Sequence, residues 1–251
     1  MSADAGLAAL LVASGADVNG KNRDGKTPMH AAAASQCQEV VDLLLANGAD
    51  VNATDSEGRS PLHECLRSSP FRVNLMVGLP PKPLHDSVPF VRFLLGKGAS
   101  VNVSDATGET PLHLAVGSGQ VEVLPLLLKG GADPNIRRPD GYAPLHLVPG
   151  GAQVLIWLER PKEAPEWAVA SDRRAAEAAT LLVKAGADPN LRDAFGRTAL
   201  HVSATAMRVH ELTDAALVAG GADPSLRDSS GKTAGEISAG GPAAFIKSRQ
   251  W

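Results

Sequence analysis

The sequence predicts an all-α solenoid of stacked helix–turn–helix units that are joined by β-hairpin-like finger loops. Two short words recur along the 251 residues, and their spacing carries this prediction. The first word is T-P-L-H or a close variant, and it begins at Thr27, Ser60, Thr110, Ala143 and Thr198. The second word is G-A-D or G-A-S, and it begins at Gly15, Gly48, Gly98, Gly131, Gly186 and Gly221. Successive glycines of the second word lie 33, 50, 33, 55 and 35 residues apart. These spacings fit a 33-residue period with two large insertions and one small one, and a fixed period of this length is typical of repeat proteins.

The segment 108–135 predicts how one unit folds. Thr110 precedes Pro111 and an apolar run, and a hydroxyl at the N-cap followed by proline at the first helical position is a helix start signal. We expect a first helix over 111–117 and a second helix that begins near Gln120. Glycines end the second helix, and the polar residues that follow predict a turn before the next unit. One unit cannot bury its apolar face alone, so the units must stack.

The period divides a single domain, 1–251, into repeats. A half repeat covers 1–21, five repeats cover 22–54, 55–104, 105–137, 138–192 and 193–227, and a C-terminal cap covers 228–251. The two long spacings place insertions at 67–87 and 149–173, each between the two helices of its repeat. Long insertions of this kind are either functional loops or tolerated surface segments, and the sequence leaves both open.

Several elements depart from the regular pattern. Leu7, Leu10 and Leu11 in the half repeat have no first helix to cover them, so we expect an upstream segment, or an end that frays or pairs with something else. Pro125 falls inside a second helix and should kink it or delay its start. Ala143 replaces the capping hydroxyl, at a cost of about 1 kcal/mol. After the second insertion, the helix should run over 174–185.

These words resemble the ankyrin repeat family, over about residues 5–240. The resemblance implies a protein-interaction module whose partner lies along the finger loops and the concave face made by the first helices. One histidine per repeat closes the T-P-L-H word, and we expect each ring to bond neighbouring backbone rather than a metal; these are His30, His63, His113, His146 and His201.

Composition narrows the classes of partner and the cellular locations that remain open. A net charge of −3 argues against a strongly basic nucleic-acid binder. No apolar run approaches the 18 residues of a membrane span, and the apolar stretch near the start lacks the positive region of a signal peptide. Cys37 and Cys65 are expected to be buried free thiols. We therefore expect a cytoplasmic or nuclear protein with no nucleic-acid and no membrane partner.

Motifs that carry chemistry are missing from the sequence. It holds no G-x-S-x-G, no phosphate-binding loop, no H-E-x-x-H and no paired-cysteine metal motif. The recurring aspartates fall in turn positions once per repeat. We therefore expect a non-enzymatic protein without cofactor or metal.

Basic residues recur beside the D-x-x-G turn of each finger. The residue before the turn and the residue after its glycine are the variable positions of an ankyrin-like finger, and many of them here are Lys or Arg. With nearby aromatic residues they make up the predicted partner-binding set: Lys21, Arg23, Lys26, Arg59, Arg137, Arg138, Tyr142, Trp157, Trp167, Arg192, Phe195, Arg197, Arg227 and Lys232.

This basic line predicts a protein partner with an acidic segment, bound by a monomer. A solvated charged rim without a binding role is the alternative, because local charge alone can only raise encounter rates. Two other functions remain open: a substrate-recruiting adaptor of a larger complex such as a ubiquitin ligase, and an inhibitor or regulator of an enzyme or transcription factor.

Overall fold

The computed structural model describes residues 3–67, 87–148, 166–205 and 211–240. Helices account for the regular structure of these residues, which confirms the predicted all-α class. The helices are α1 (Ala3–Ala13), α2 (Pro28–Ala34), α3 (Gln38–Ala46), α4 (Pro61–Arg67), α5 (Ser87–Gly96), α6 (Pro111–Gly117), α7 (Leu124–Lys129), α8 (Pro144–Leu147), α9 (Glu166–Lys184), α10 (Ala199–Thr205), α11 (Glu211–Ala219) and α12 (Ala234–Gly240). None of the helices in these ranges combines the length and apolarity needed to cross a bilayer.

The chain forms two compact units. The first comprises Met1–Leu114 and Lys129–Ala132, and the second comprises Ala115–Leu128 and Asp133–Trp251. In the first unit, the first helices of successive repeats pack together as α2 on α4, and the second helices pack as α1 on α3. In the second unit, α10 packs between α8 and α12, and α9 packs on α11.

The core of each unit lies between its two helix layers. Met29 and Leu62 are at most 1% exposed in the first unit, and Leu182 and Leu217 are fully buried in the second. Burying one such side chain stabilises the fold by about 1.5–3 kcal/mol. Because every repeat supplies equivalent leucines, stability accumulates repeat by repeat.

Each finger is a short hairpin closed by backbone hydrogen bonds. In the second repeat, Asp55 N donates to Arg59 O at 3.0 Å, and the Asp55 carboxylate accepts from Glu57 N and Arg59 N. Neighbouring fingers are also bonded, since Ser56 N donates to Asp24 O at 2.9 Å. A Cβ on Gly25, where φ is +74°, would lie 2.6 Å from Ser56 N, so this close stacking requires glycine.

The histidines join one repeat to the next, as the sequence predicts. His30 Nδ1 accepts from Thr27 N at 3.1 Å, and its Nε2 lies 2.9 Å from Arg59 O in the following repeat. The Nε2 atoms of His63, His146 and His201 likewise lie 3.1 Å from a carbonyl oxygen of the following repeat. Because Nδ1 accepts, Nε2 carries the proton that it donates to the carbonyl.

The hydroxyl of the T-P-L-H word has two partners. Thr110 Oγ1 accepts from His113 N at 3.4 Å, which is the early helix N–H expected for a cap, and it also lies 2.8 Å from His113 Nδ1. Ala143 lacks this contact, yet Ala143 N still donates to His146 Nδ1 at 3.2 Å. The substitution therefore removes one of the two contacts at Nδ1 and leaves the Nε2 contact in place.

Asparagines that follow the G-A-D words form a second set of links. The Asn19 amide donates to Gly48 O at 2.9 Å and accepts from Asp50 N at 3.0 Å. Asn135 contacts Gly186 O and Asp188 N in the same way, at 2.9 and 2.8 Å. Each amide thus bridges two backbone groups of the next turn, because a carboxamide carries both a donor and an acceptor.

The elements that depart from the regular repeat differ in where their helices begin and in how far they are buried. Helix α7 begins at Leu124, after a 3₁₀ turn over Val121–Val123, so Pro125 delays the helix start as predicted. Helix α9 begins at Glu166, which corrects the expected start at 174 and places the end of the second insertion in a helix. Leu7, Leu10 and Leu11 on α1 are 54–68% exposed. Most of the first insertion, residues 149–165 of the second, and residues 241–251 of the C-terminal cap lie outside the described residues.

Candidate protein-binding surface

Basic residues before the finger turn are anchored to the next repeat. Arg137 Nη2 donates to Arg192 O, and Arg192 Nη1 donates to Arg227 O at 2.8 Å. Lys21 follows the same rule in the first unit, where its Nζ donates to Thr54 O at 2.9 Å. A backbone carbonyl of the following repeat therefore fixes the direction of each side chain.

Arg137 and Arg192 are exposed, and they differ from the other arginines of the second unit in their partners. Their contacts within the described residues are backbone carbonyls, and no carboxylate of those residues pairs with either guanidinium. Arg227 donates to Gly231 O at 2.6 Å but also pairs with the Glu236 carboxylate at 2.9 Å. Arg137 and Arg192 are thus exposed arginines of this edge whose positive charge no described carboxylate pairs with.

A cluster of aromatic and arginine side chains lies on the same fingers. The Arg197 guanidinium carbon lies 5.8 Å from the Tyr142 ring centre and 5.0 Å from the Phe195 ring centre, and Arg197 Nη2 donates to Tyr142 Oη at 2.8 Å. The Arg138 guanidinium carbon lies 5.3 Å from the Tyr142 ring centre. Phe195 remains 61% exposed beside this cluster.

Carboxylates partly neutralise this cluster. Arg138 donates to the Asp140 carboxylate, and this hydrogen bond lowers the pKa of Asp140. Arg197 Nε donates to Asp193 at 2.8 Å. Burial lowers the pKa of Arg197, but the contacts with Asp193 and Tyr142 together outweigh burial, so the pKa is raised. Both arginines therefore stay charged while their charge is largely offset.

Arg59 departs from the expected exposed position. It is 7% exposed, and acidic groups surround its guanidinium: Glu57 pairs with Nη2, Asp55 lies 3.6 Å from Nε, and Glu64 lies 4.0 Å from Nη1. Lys26 is also paired, with Glu64 at 3.2 Å. These two basic residues are part of an internal charge network rather than an open basic rim.

The remaining predicted residues are placed less specifically. Arg23 and Lys232 are exposed on their fingers. Trp167 lies in α9, and Trp157 lies outside the described residues.

Two positions with long-range contacts escaped the sequence analysis. Glu64 follows the histidine of its repeat, where the other repeats have Ala31, Leu114, Leu147 and Val202, so an alignment of this position would have found it. Asp172 is buried and caps α11, since its carboxylate accepts from Leu212 N at 2.9 Å and Thr213 N at 3.1 Å. Nothing in the sequence signals a cap that is 40 residues distant.

Stacked helix pairs with hairpin fingers, linked by repeated histidine and asparagine bonds, define a repeat protein that presents an exposed finger edge. The sequence model described as ankyrin repeats (3 copies) matches residues 1–76 and 84–148, which is more than half of the chain. The chain belongs to the ankyrin repeat family. Ankyrin repeats are generally protein–protein interaction modules. No curated protein matches the chain.

Proposed function

We propose that this protein is a non-enzymatic scaffold whose second unit binds an acidic segment of a partner protein along its finger edge. The observation that carries the proposal is the pair of exposed guanidiniums, Arg137 and Arg192, which lack a carboxylate partner among the described residues. An acidic side chain would supply that partner as a charge-assisted hydrogen bond.

Anchoring prepares these side chains for binding. Each guanidinium already donates one N–H to a carbonyl of the next repeat, so part of its rotamer freedom is lost before a partner arrives. Ordering a long side chain at an interface otherwise costs about 0.5–1.5 kcal/mol. The remaining N–H groups are left for a ligand, because a guanidinium carries five donors.

The repeat spacing sets the form of the acidic segment. Packed helices lie about 10 Å apart, and a chain in the polyproline II conformation advances about 3.1 Å per residue with about three residues per turn. Carboxylates at every third residue of such a segment lie on one face, about 9 Å apart, and would therefore face successive fingers. Phe195, exposed beside Arg197, adds an apolar contact of the kind that dominates interface energies.

The test is a titration of the full chain with a labelled peptide that has three Glu residues at every third position and Ser or Thr between them. We expect the R137A/R192A double variant to bind at least about tenfold more weakly, and added salt to weaken the wild-type complex. A peptide of the same composition with its three Glu residues adjacent should bind less tightly than the spaced peptide. Fluorescence anisotropy measures each affinity.

The K21A/R23A variant is the matched control, since it also removes two exposed basic residues but lies in the first unit. It should bind the spaced peptide as the wild type does. Equal losses in both double variants would mean that the peptide senses net charge alone, and an unchanged R137A/R192A affinity would exclude this edge as the acidic-segment site.

We place this activity in the cytoplasm or nucleus. Two free thiols support that location, because disulfides are rare there. Burial raises the pKa of the Cys65 thiol to about 12, which keeps it protonated and unreactive.

A further inference from the structure

A glutamate, Glu236, takes the place of the histidine in the last T-P-L-H word, which reads Thr233-Ala234-Gly235-Glu236. Its carboxylate keeps the contact inside the word, since Glu236 Oε2 accepts from Thr233 N at 2.9 Å as the histidine Nδ1 atoms do in the other repeats. The second contact differs. The histidine ring donates to a carbonyl of the following repeat, whereas a carboxylate can only accept, and Glu236 pairs with Arg227.

Arg227 therefore differs from the two other arginines that precede a finger turn. All three donate to a backbone carbonyl, but within the described residues only the Arg227 guanidinium also meets a carboxylate. Its Nη1 lies 2.9 Å from Glu236 Oε2 and 3.3 Å from Oε1. The two side chains are 58% and 50% exposed, so this pair lies at the surface, where a carboxylate of a partner would arrive.

Glu236 already supplies the group that the acidic segment would supply. The Thr233 N–H, and with it the charge of Arg227, lowers the pKa of Glu236, so its carboxylate is charged at neutral pH. An exposed ion pair is weak enough to exchange with another carboxylate. A partner must nevertheless displace Glu236 to reach Arg227, and it gains less there than at Arg137 or Arg192.

We propose that Glu236 competes with the acidic segment for Arg227 and thereby sets where that segment ends on the finger edge of the second unit. This inference rests on the proposed function, because it requires that carboxylates of a partner bind Arg137 and Arg192. The segment then engages those two fingers, and Glu236 occupies the third. A third Glu in register with Arg227 adds little affinity while Glu236 is present.

The experiment titrates the full chain with two labelled peptides of equal length, read by fluorescence anisotropy. One carries two Glu residues three positions apart, the other carries three Glu residues at every third position, and Ser or Thr fills the rest. We expect Glu236→Gln to tighten the three-Glu peptide about fourfold, as expected for release of an exposed ion pair. The two-Glu peptide should gain less, because Arg137 and Arg192 already match both of its carboxylates.

The variants separate competition at Arg227 from folding and from net charge. Glutamine still accepts from Thr233 N, so the capping box at the start of α12 is kept. E177Q removes an exposed carboxylate of α9 in the same unit and should change neither affinity. R227A introduced together with E236Q should abolish the gain of the three-Glu peptide.

The proposal is overturned if E236Q tightens both peptides equally, if it tightens neither, if E177Q gives the same gain, or if the gain survives R227A. Each of these results leaves the proposed function intact as long as R137A/R192A weakens binding. If R137A/R192A binds both peptides as the wild type does, the proposed function fails and this inference fails with it. The same titrations therefore distinguish the two failures.

Discussion

Arg59 in the first unit and Arg197 in the second occupy the same position of the repeat, directly after the turn glycine, yet their surroundings differ. Arg59 is 7% exposed and lies among Asp55, Glu57 and Glu64. The Arg197 side chain is 25% exposed and rests on Tyr142 and Phe195, with Asp193 as its carboxylate partner. A basic residue at this finger position is therefore buried in one unit and partly exposed in the other, depending on the side chains that surround it.

The position before the turn makes the same contrast. In the second unit it is arginine in three fingers, whereas in the first unit Lys21 is followed by the uncharged Thr54 and Ser104. Arg137 and Arg192 in the second unit donate to backbone carbonyls of the next repeat. An unbroken set of arginines therefore exists in the second unit alone among the described fingers.

Replacing each arginine by alanine is the strongest test of this contrast. R59A leaves the buried Asp55 carboxylate without its cation and Glu64 with Lys26 alone, and we expect it to lower the free energy of unfolding by about 3–5 kcal/mol. R197A also removes the cation of a buried carboxylate, Asp193, but the arginine side chain is 25% exposed and water can replace it, so about 1–2 kcal/mol is expected. Urea unfolding measures both. Equal losses in the two variants would contradict the contrast.

The extended helix α9 provides a test within the second unit. D172A removes a buried cap from α11, and we expect a loss of about 1–2 kcal/mol in the free energy of unfolding. E177A changes an exposed carboxylate on the same helix and should change that free energy by less than about 0.5 kcal/mol. If both variants unfold at the same urea concentration, the cap at Asp172 does not contribute.

Acid should affect the two units alike, because a buried histidine links repeats in each. Burial lowers the pKa of His63 in the first unit and of His146 in the second. A lowered folded-state pKa gives stability that is complete above the unfolded value of about 6.5 and is lost as the pH falls through the lower folded-state value.

The check is the urea midpoint measured between pH 7.5 and pH 5.0, a range that lies above the usual titration of carboxyl groups at about pH 4. We expect the midpoint to stay nearly constant down to about pH 7 and to fall from there to pH 5.0. A midpoint that is flat down to pH 5.0 would mean that these histidines do not couple folding to protons.

Local signals in the sequence predicted most of the fold. The Thr-Pro starts, the glycine ends and Pro125 act on their own turn of helix, so a helix such as 111–117 could be assigned to the residue. The start of α9 was missed because Glu166–Arg173 follows an insertion, where the repeat period no longer fixes the register. Its stabilising contacts are distant: Asp172 bonds α11, and Arg174 bonds Glu122 at 2.8 Å.

The candidate site was less predictable for the same reason. Sequence position placed Arg137 and Arg192 in the fingers, and both are exposed there. It could not reveal that Arg59 is buried, because that depends on Glu64 in a helix beyond the finger. Charge counted along the chain therefore overstates the basic surface of the first unit.

The most direct test of the proposed function is to locate the acidic peptide on the protein. Titrating the spaced Glu peptide into the full chain while recording arginine Nε–Hε signals by NMR compares the two finger edges in one sample. We predict saturable shifts for Arg137 and Arg192 in the second unit and none for Arg23 in the first. Shifts at Arg23 of the same size, or none at Arg137 and Arg192, would contradict the assignment of acidic-segment binding to the second unit.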